Sequence, residues 1–432
     1  MAIMDKPEDL PLDAESKLNA TVTPFEEGEN EEQENIELGP LVSFIKDKYE
    51  TSKTNRMSDE TRWLSAYRNY RGIYSAEVQF TDKEKSQAFV KITKTKVLAS
   101  YAQIVDVLFA GAKFPVGIEP RTYSNNVSPE ISFDPQAKPD VKKMSDDVAI
   151  RMGVYADKLE KVKDSIQEGK GDSPASELFE PAKKAAQNLE QKIHDQLGET
   201  EASKHLRTVA FEMSLFGTGI LKGPFAFDKE YPKWNENGEY EPLFETIPKI
   251  EAVSLWNLYP DPAARSISEC DYIIQRHRMN RSELRALKNR PFFRKDSIEL
   301  TIESGASYVP EYWEDVLEDS DVSTDLNRYE VLEFWGMMDS ELAEEAGLEL
   351  PDGLDDQVQV NAWISNGQIL RLVLNPFTPK RIPFHAVPYE NNPYSFFGIG
   401  VAENMQDTQL LMNGFMRMAV DNAALSSNLL IE

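Results

Sequence analysis

Few residues in this chain combine the type and the spacing that chemistry demands. Lys222 lies in GTGILKG (217–223), three residues after Gly219. A phosphate-cradling loop needs GxxxxGK[ST] leaving a strand, so these glycines read instead as a helix end and a turn. The four histidines, His194, His205, His277 and His385, fall at no metal-ligand spacing. Cys270 and His277 could meet across a hairpin as thiol and base, but no third residue is placed to orient them. No nucleophile, base or cofactor loop emerges, and the chain reads as a non-enzyme without cofactors.

One stretch does have ligand spacing. DSDVSTDLNRYE puts Asp319, Asp321, Ser323, Asp325, Asn327 and Glu330 at the oxygen-donor positions of a calcium loop. Thr324 stands where the sharp turn wants glycine, and the following YEVLEFW favours a strand over an exiting helix. An acidic surface loop before a strand is the plainer account, and no metal site is assigned.

The whole chain sets the bounds. Its 432 residues, 41% hydrophobic and 10% aromatic, suffice for two or three domains with sizeable cores. A lone cysteine excludes an internal disulfide and suits a reducing compartment. The start, MAIMDKPEDL, lacks the basic and apolar regions of a signal peptide, and no apolar run is long enough to span a bilayer. The formal charge of −27 argues against coating nucleic acid, which needs clustered Lys and Arg. Residues 1–39, with EEGENEEQENIE, read as an acidic, solvated tail.

The elements that must position any site follow from periodicity. A helix is expected from a Ser58 cap through Trp63, Tyr67, Tyr70 and Tyr74, and a second through Val97–Phe109. Residues 141–197 form two helical legs broken by GKGDSP, a hairpin arm, and a further helix covers 202–216. Strand patterns then take over: 244–262 after the NENG turn, DYIIQRHRM, RYEVLEFWG, and VQVNAWIS paired with QILRLVLN around Asn366-Gly367. A short helix over Ser282–Lys288 is capped by Asn280 or Ser282, and RIPFHAVPY reads as an edge strand. The fold class is therefore α+β.

The last helix, from about Val401, is the most informative segment. Val401, Met405, Met412, Phe415 and Ala419 lie near one stripe, while Asn413, Arg417 and Asp421 form a polar one. Leu411, Met418 and Leu425 add a third at sevenfold spacing. A helix apolar on several sides wants several neighbours. It is either core or packed between like subunits, where adaptable Met side chains fill gaps. Met405, Met412 and Phe415 are the candidate subunit-interface residues.

Three stretches together carry a resemblance. In NPYSFFGIGVAENMQDTQLLMNGFMRMAVDN these are Pro393, Phe397, Gly398, Gly400, Glu403, Gln409, Asn413, Asp421 and Asn422. In SLWNLYPDPAARSISECDYIIQRHRMNRSELRAL they are Trp256, Pro260, Asp261, Pro262 and Ala263, and FEMSLFGTGILK lies just upstream. In this order they resemble portal proteins of tailed bacteriophages, especially short-tailed ones, over roughly residues 40–432. The resemblance implies a subunit with wing, stem and clip, one of usually twelve in a ring at a capsid vertex of the virion, assembled in the host cytoplasm. It implies as partners the terminase packaging motor, which holds the ATPase, head–tail adaptor and tail proteins, major capsid and scaffold proteins, and double-stranded DNA passing without sequence recognition. It implies no membrane.

On that basis residues 40–330 are expected as a wing-like α/β region, 331–398 as a β-rich wing or clip region, and 399–432 as a long stem or wing helix. The 141–197 arm has no counterpart in the resemblance. Leu429–Glu432 carry no Gly or Asn C-cap, so the helix is expected to continue beyond them. A channel that lets DNA pass must not bind it, and Glu403, Gln406, Asp407 and Gln409 are the candidate channel-facing or rim residues. Contact with a neighbouring subunit or with solvent is the alternative for them. Two other readings of the chain stay open: another virion or scaffold protein, assembling without a channel, and a cytoplasmic enzyme or metal-binding module forming a compact low-order oligomer with a concave polar site.

Overall fold

The computed structural model describes residues 39–75, 86–111, 174–234, 243–318, 327–351, 356–377 and 381–428, with Val78, Phe80, Phe114, 116–119 and Tyr240. The acidic stretch 1–38, residues 120–173 with the first leg of the arm, the NENG turn, residues 319–326 and residues 429–432 lie outside the described residues.

Helix α1 (Pro40–Arg71) is the spine of the molecule. It starts on a proline after Gly39 and stops at Gly72, whose φ of 79° lets its N–H bond Arg68 O at 2.8 Å. Ser58 therefore lies inside the helix and does not cap it. The missed part carries Leu41, Val42, Ile45 and Tyr49, buried on a sheet far away in sequence. No local cap marks such a start.

Helices α2 (Ile92–Phe109), α3 (Pro174–Glu199) and α4 (Ala202–Phe216) follow. Although α2 is strongly apolar, only Thr93 and Val97 on it are buried.

Two antiparallel sheets complete the α+β fold. Strands β1 (Thr218–Tyr231) and β2 (Leu243–Val253) pair along their length, and β3 (Leu258–Pro260) follows a single 3-10 turn. The chain continues through β4 (Tyr272–Asn280), α5 (Arg281–Ala286), α6 (Lys295–Glu303), α7 (Glu314–Glu318) and β5 (Arg328–Asp339). Next come α8 (Ser340–Glu345), β6 (Gln357–Ser365), β7 (Gln368–Leu374) and β8 (Phe384–Pro388). One sheet has the order β2-β1-β8 and the other β3-β4-β5-β6-β7. Asn280 caps α5 in a capping box with Glu283. Asn366 and Gly367 take positive φ between β6 and β7, as a two-residue hairpin requires. The boundary expected at 330/331 falls inside β5, so one sheet draws strands from both sides of it.

Alternation along β5 sends Leu332 and Phe334 towards α1, while Tyr329 and Val331 face α5 and α6. Between the two sheets sits a buried carboxylate. Glu333 accepts from Lys222 at 2.5 Å, pairs with His277 at 2.8 Å and accepts from Trp335 Nε1 at 2.7 Å. Burial alone would raise the Glu333 carboxyl, but Lys222 and His277 outweigh it and hold it well below the usual range. Lys222 of GTGILKG is thus a strand residue joining β1 to β4 and β5. His277 lies flat on Trp363, with centroids 5.0 Å apart.

Glu212 on α4 has no cation among its hydrogen-bond partners. It accepts from the Leu255 N–H at 3.1 Å, and burial pushes its carboxyl up to about 7 against the opposing pull of Leu255 and Ser254.

Two outcomes are expected. Lys222→Met leaves Glu333 buried with less compensation and should cost about 3 kcal/mol, read as a lowered urea midpoint. The raised Glu212 carboxyl means the folded state prefers the proton. Its stabilisation is present in acid and is lost as pH rises through about 7. The stability gap between wild type and Glu212→Gln should therefore shift by up to about 3 kcal/mol between about pH 5 and about pH 8, against the wild type at the higher pH. A gap independent of pH would refute this.

Candidate assembly site

Two glycine turns, distant in sequence, cross with their backbones in contact. Gly217 ends α4 with φ 96°, and a Cβ there would lie 2.5 Å from Gly398 O and 2.6 Å from Gly400 N. A Cβ on Gly398 would meet Gly217 O at 2.6 Å, and one on Gly400 would meet Leu215 O at 2.6 Å. The crossing is hydrogen-bonded: Gly398 N–H donates to Thr218 Oγ1 and Tyr389 N–H to Gly217 O, both at 2.8 Å. Only glycine leaves room for such an approach.

The third stretch closes on this crossing. Trp63 of α1 meets Trp256 and Phe397 edge-on at centroid distances of 5.2 and 4.8 Å, and Trp256 also contacts Phe216 and Trp313. Arg56 of α1 anchors the 3-10 turn and β3 over residues 255–260. It pairs with Glu60 at 2.6 Å, donates to the carbonyls of Leu255, Trp256 and Leu258, and lies 3.8 Å from the Tyr259 ring centroid. Ser52 Oγ donates to Pro260 O at 2.6 Å. Asp261 accepts from Ala263 N–H at 3.0 Å and so shapes the Pro260-Asp261-Pro262 turn. Beside it is a cleft of about 370 Å³, lined in part by Asp59, Arg265, Tyr394 and Phe396. Trp256, Pro260, Asp261, Pro262, Gly398 and Gly400 are thus brought together.

From Gly400 the chain enters α9 (Val401–Asn404), breaks at Met405 and resumes as α10 (Gln406–Asn428). The long helix expected from residue 399 is therefore two helices. Glu403 faces Arg62 at 3.5 Å, and burial together with nearby Asp59 and Glu390 raises its carboxyl despite Arg62. Gln406 and Asp407 are exposed, and Met405 is half-buried at the break.

Gln409 is a correction. It is 1% exposed, and its amide is spent on the protein's own backbone, so it faces no channel. Its Oε1 accepts from Thr93 N–H at 3.0 Å, and its Nε2 donates to Val90 O and to Asn413 Oδ1. Asn413 Oδ1 also accepts from Val90 N–H, and Asp421 Oδ1 accepts from Ser86 N–H, each at 2.9 Å. The polar stripe of α10 thus holds residues 86–93. Apolar residues away from that stripe are exposed: Leu411, Phe415 and Met418 by 54% to 62%, with Met412 at 37%, and Leu425 one turn beyond Asp421 at 61%.

Among the described residues no group of three or more His, Cys, Asp or Glu is placed to hold a metal, and no helix is long and apolar enough to cross a membrane. Glu330, the last donor of the calcium spacing, accepts from Arg276 at 2.6 Å.

The family model described as the phage SU10 portal protein matches residues 152–429. The chain belongs to that portal family. The match takes in all three stretches and most of the arm for which the resemblance offered no counterpart, while residues 40–151 lie outside it. A search of curated proteins finds no match.

Within this portal protein, sequence reasoning missed Arg56, Glu60 and the 86–93 segment. The RMSDE spacing of Arg56 and Glu60 was a readable helix pair, but its burial depends on strands that arrive about two hundred positions later. Gly398→Ala should cost at least about 3 kcal/mol, because backbone surrounds the added methyl, and should reduce soluble folded protein. Ser395→Ala, at the rim of the same loop, should cost under about 1 kcal/mol in the same melt.

Proposed function

We propose that this portal protein is the subunit of a ring at one capsid vertex, through which double-stranded DNA is packaged and ejected and to which the tail is joined. The uncharged outer side of α10 is the observation that carries this reading. Two copies of a chain with net charge −27 repel one another except where neither presents charge. Residues 408–428 carry just Arg417 and Asp421, and both are turned inward onto the 74–90 region. Leu411, Phe415, Met418 and Leu425 then offer a second copy an apolar stripe larger than scattered surface residues would. Met412 lies beside it, and half-buried Met405 at its start.

The membership of the family supports a place in the virion and assembly with capsid and other phage proteins. The terminase motor, head–tail adaptors and scaffold protein are the partners this role requires. Acidity suits passage of DNA. Each phosphate-contacting cation adds affinity through counterion release, while a negative or neutral wall keeps the duplex hydrated and unbound. Repulsion is screened over roughly 8 Å at physiological salt. Glu403, Gln406 and Asp407 are the rim candidates on this reading.

Purified protein should sediment as a ring of about 589 kDa if it holds twelve copies of the 49.1 kDa chain. Leu411→Ser with Met418→Ser should release monomers with an unchanged melting profile. A monomer at every concentration, or a continuous basic stripe lining the assembled channel, would end this reading.

A further inference from the structure

The stretch 86–93 touches α10 in a way that neither a helix pair nor a sheet does. Backbone N–H groups of Ser86, Val90 and Thr93 are taken one by one by Asp421, Asn413 and Gln409, so the extended chain runs antiparallel to the helix. The spacings match. Two helical turns and a little more separate Asn413 from Asp421, about 12 Å of rise. Four extended residues separate Ser86 from Val90, about 13 Å. Gln409 closes the end nearest α2 in both directions, accepting from Thr93 and donating to Val90 O. Arg417, between them on the same stripe, lies over the rings of Tyr74 and Phe80 at 5.6 and 5.4 Å.

We infer that Gln409, Asn413 and Asp421 are a clasp for an extended segment, and that the clasp sets the rotation of α10 about its own axis. The break at Met405 makes such a device necessary. Past that break α10 is a separate helix, and several of its apolar side chains, Leu411, Phe415 and Met418 among them, are exposed. Backbone groups gripped along one side fix which residues face the other way. Leu411, Phe415 and Met418 lie roughly opposite the clasp on a helix of 3.6 residues per turn, and exposed Leu425 follows one turn after Asp421. Gln409, Asn413 and Asp421 are thus positioning residues for the surface on which a second copy would dock, and this second step rests on the ring reading above.

Hydrogen exchange of the full chain, read on peptides covering residues 86–93, tests the clasp, and sedimentation tests its consequence. Asn413→Ala with Asp421→Ala should speed exchange there by about tenfold or more while peptides over the glycine crossing stay protected. Asp421→Asn keeps the accepting oxygen and should leave exchange unchanged. Gln409→Glu keeps the shape but cannot donate to Val90 O, and should behave like the double variant. The double variant should also raise the concentration at which rings form, whereas Leu411→Ser with Met418→Ser should abolish rings and leave exchange untouched. Unchanged exchange in the double variant overturns the clasp, and faster exchange with undiminished ring formation overturns its positioning role. Were wild type monomeric throughout, the ring reading would fail while the exchange experiment still decided the clasp.

Discussion

Backbone lies against backbone where Gly217 passes Gly398 and Gly400, and the path of the chain on both sides is set by that contact. Upstream, the left-handed turn at Gly217 converts α4 into β1, the central strand of the three-stranded sheet. Downstream, Gly400 starts α9 and so sets where that short helix begins. A single methyl at any of these positions would have to displace backbone carbonyl or amide atoms of the facing turn or of the end of α4. Such a crossing does not deform gradually; it is made or it is not.

Buried charge does the remaining joining. Arg56 is satisfied by Glu60 and by three carbonyls of the 3-10 turn and the start of β3, those of Leu255, Trp256 and Leu258. Glu333 is satisfied from two sheets at once. Arg276 bonds Glu314, Glu330 and the Val309 carbonyl, gathering the chain between β4 and β5. In each case removing one partner strands the other in low dielectric, so these links specify which segments meet more than they add net stability.

The division of α10 into a gripping side and a bare side connects this architecture to its role. A subunit that assembles with itself needs an apolar face, and a strongly acidic chain can offer one only where charge is absent or turned inward. The residues that turn it inward, Asn413, Arg417 and Asp421, also hold the chain leading into α2, so packing within the subunit and readiness for assembly draw on one set of contacts.

Sequence alone determined the α+β class, the Asn366-Gly367 hairpin, the presence of a short helix capped by one of two neighbouring residues, the failure of GTGILKG as a phosphate loop, and the three motif stretches whose order points to the portal family. These are local properties: turn chemistry, caps and periodicity are settled within a few residues. Tertiary structure alone decided that α1 starts at Pro40, that β5 bridges the expected boundary, that the last helix breaks at Met405, and that Gln409 is inside. Each depends on a partner far away in sequence. Gln409 shows why: its spacing places it on a helix face, but only the arrival of Val90 and Thr93 makes that face an interior. Periodicity tells which residues share a side, and packing tells what lies beyond it.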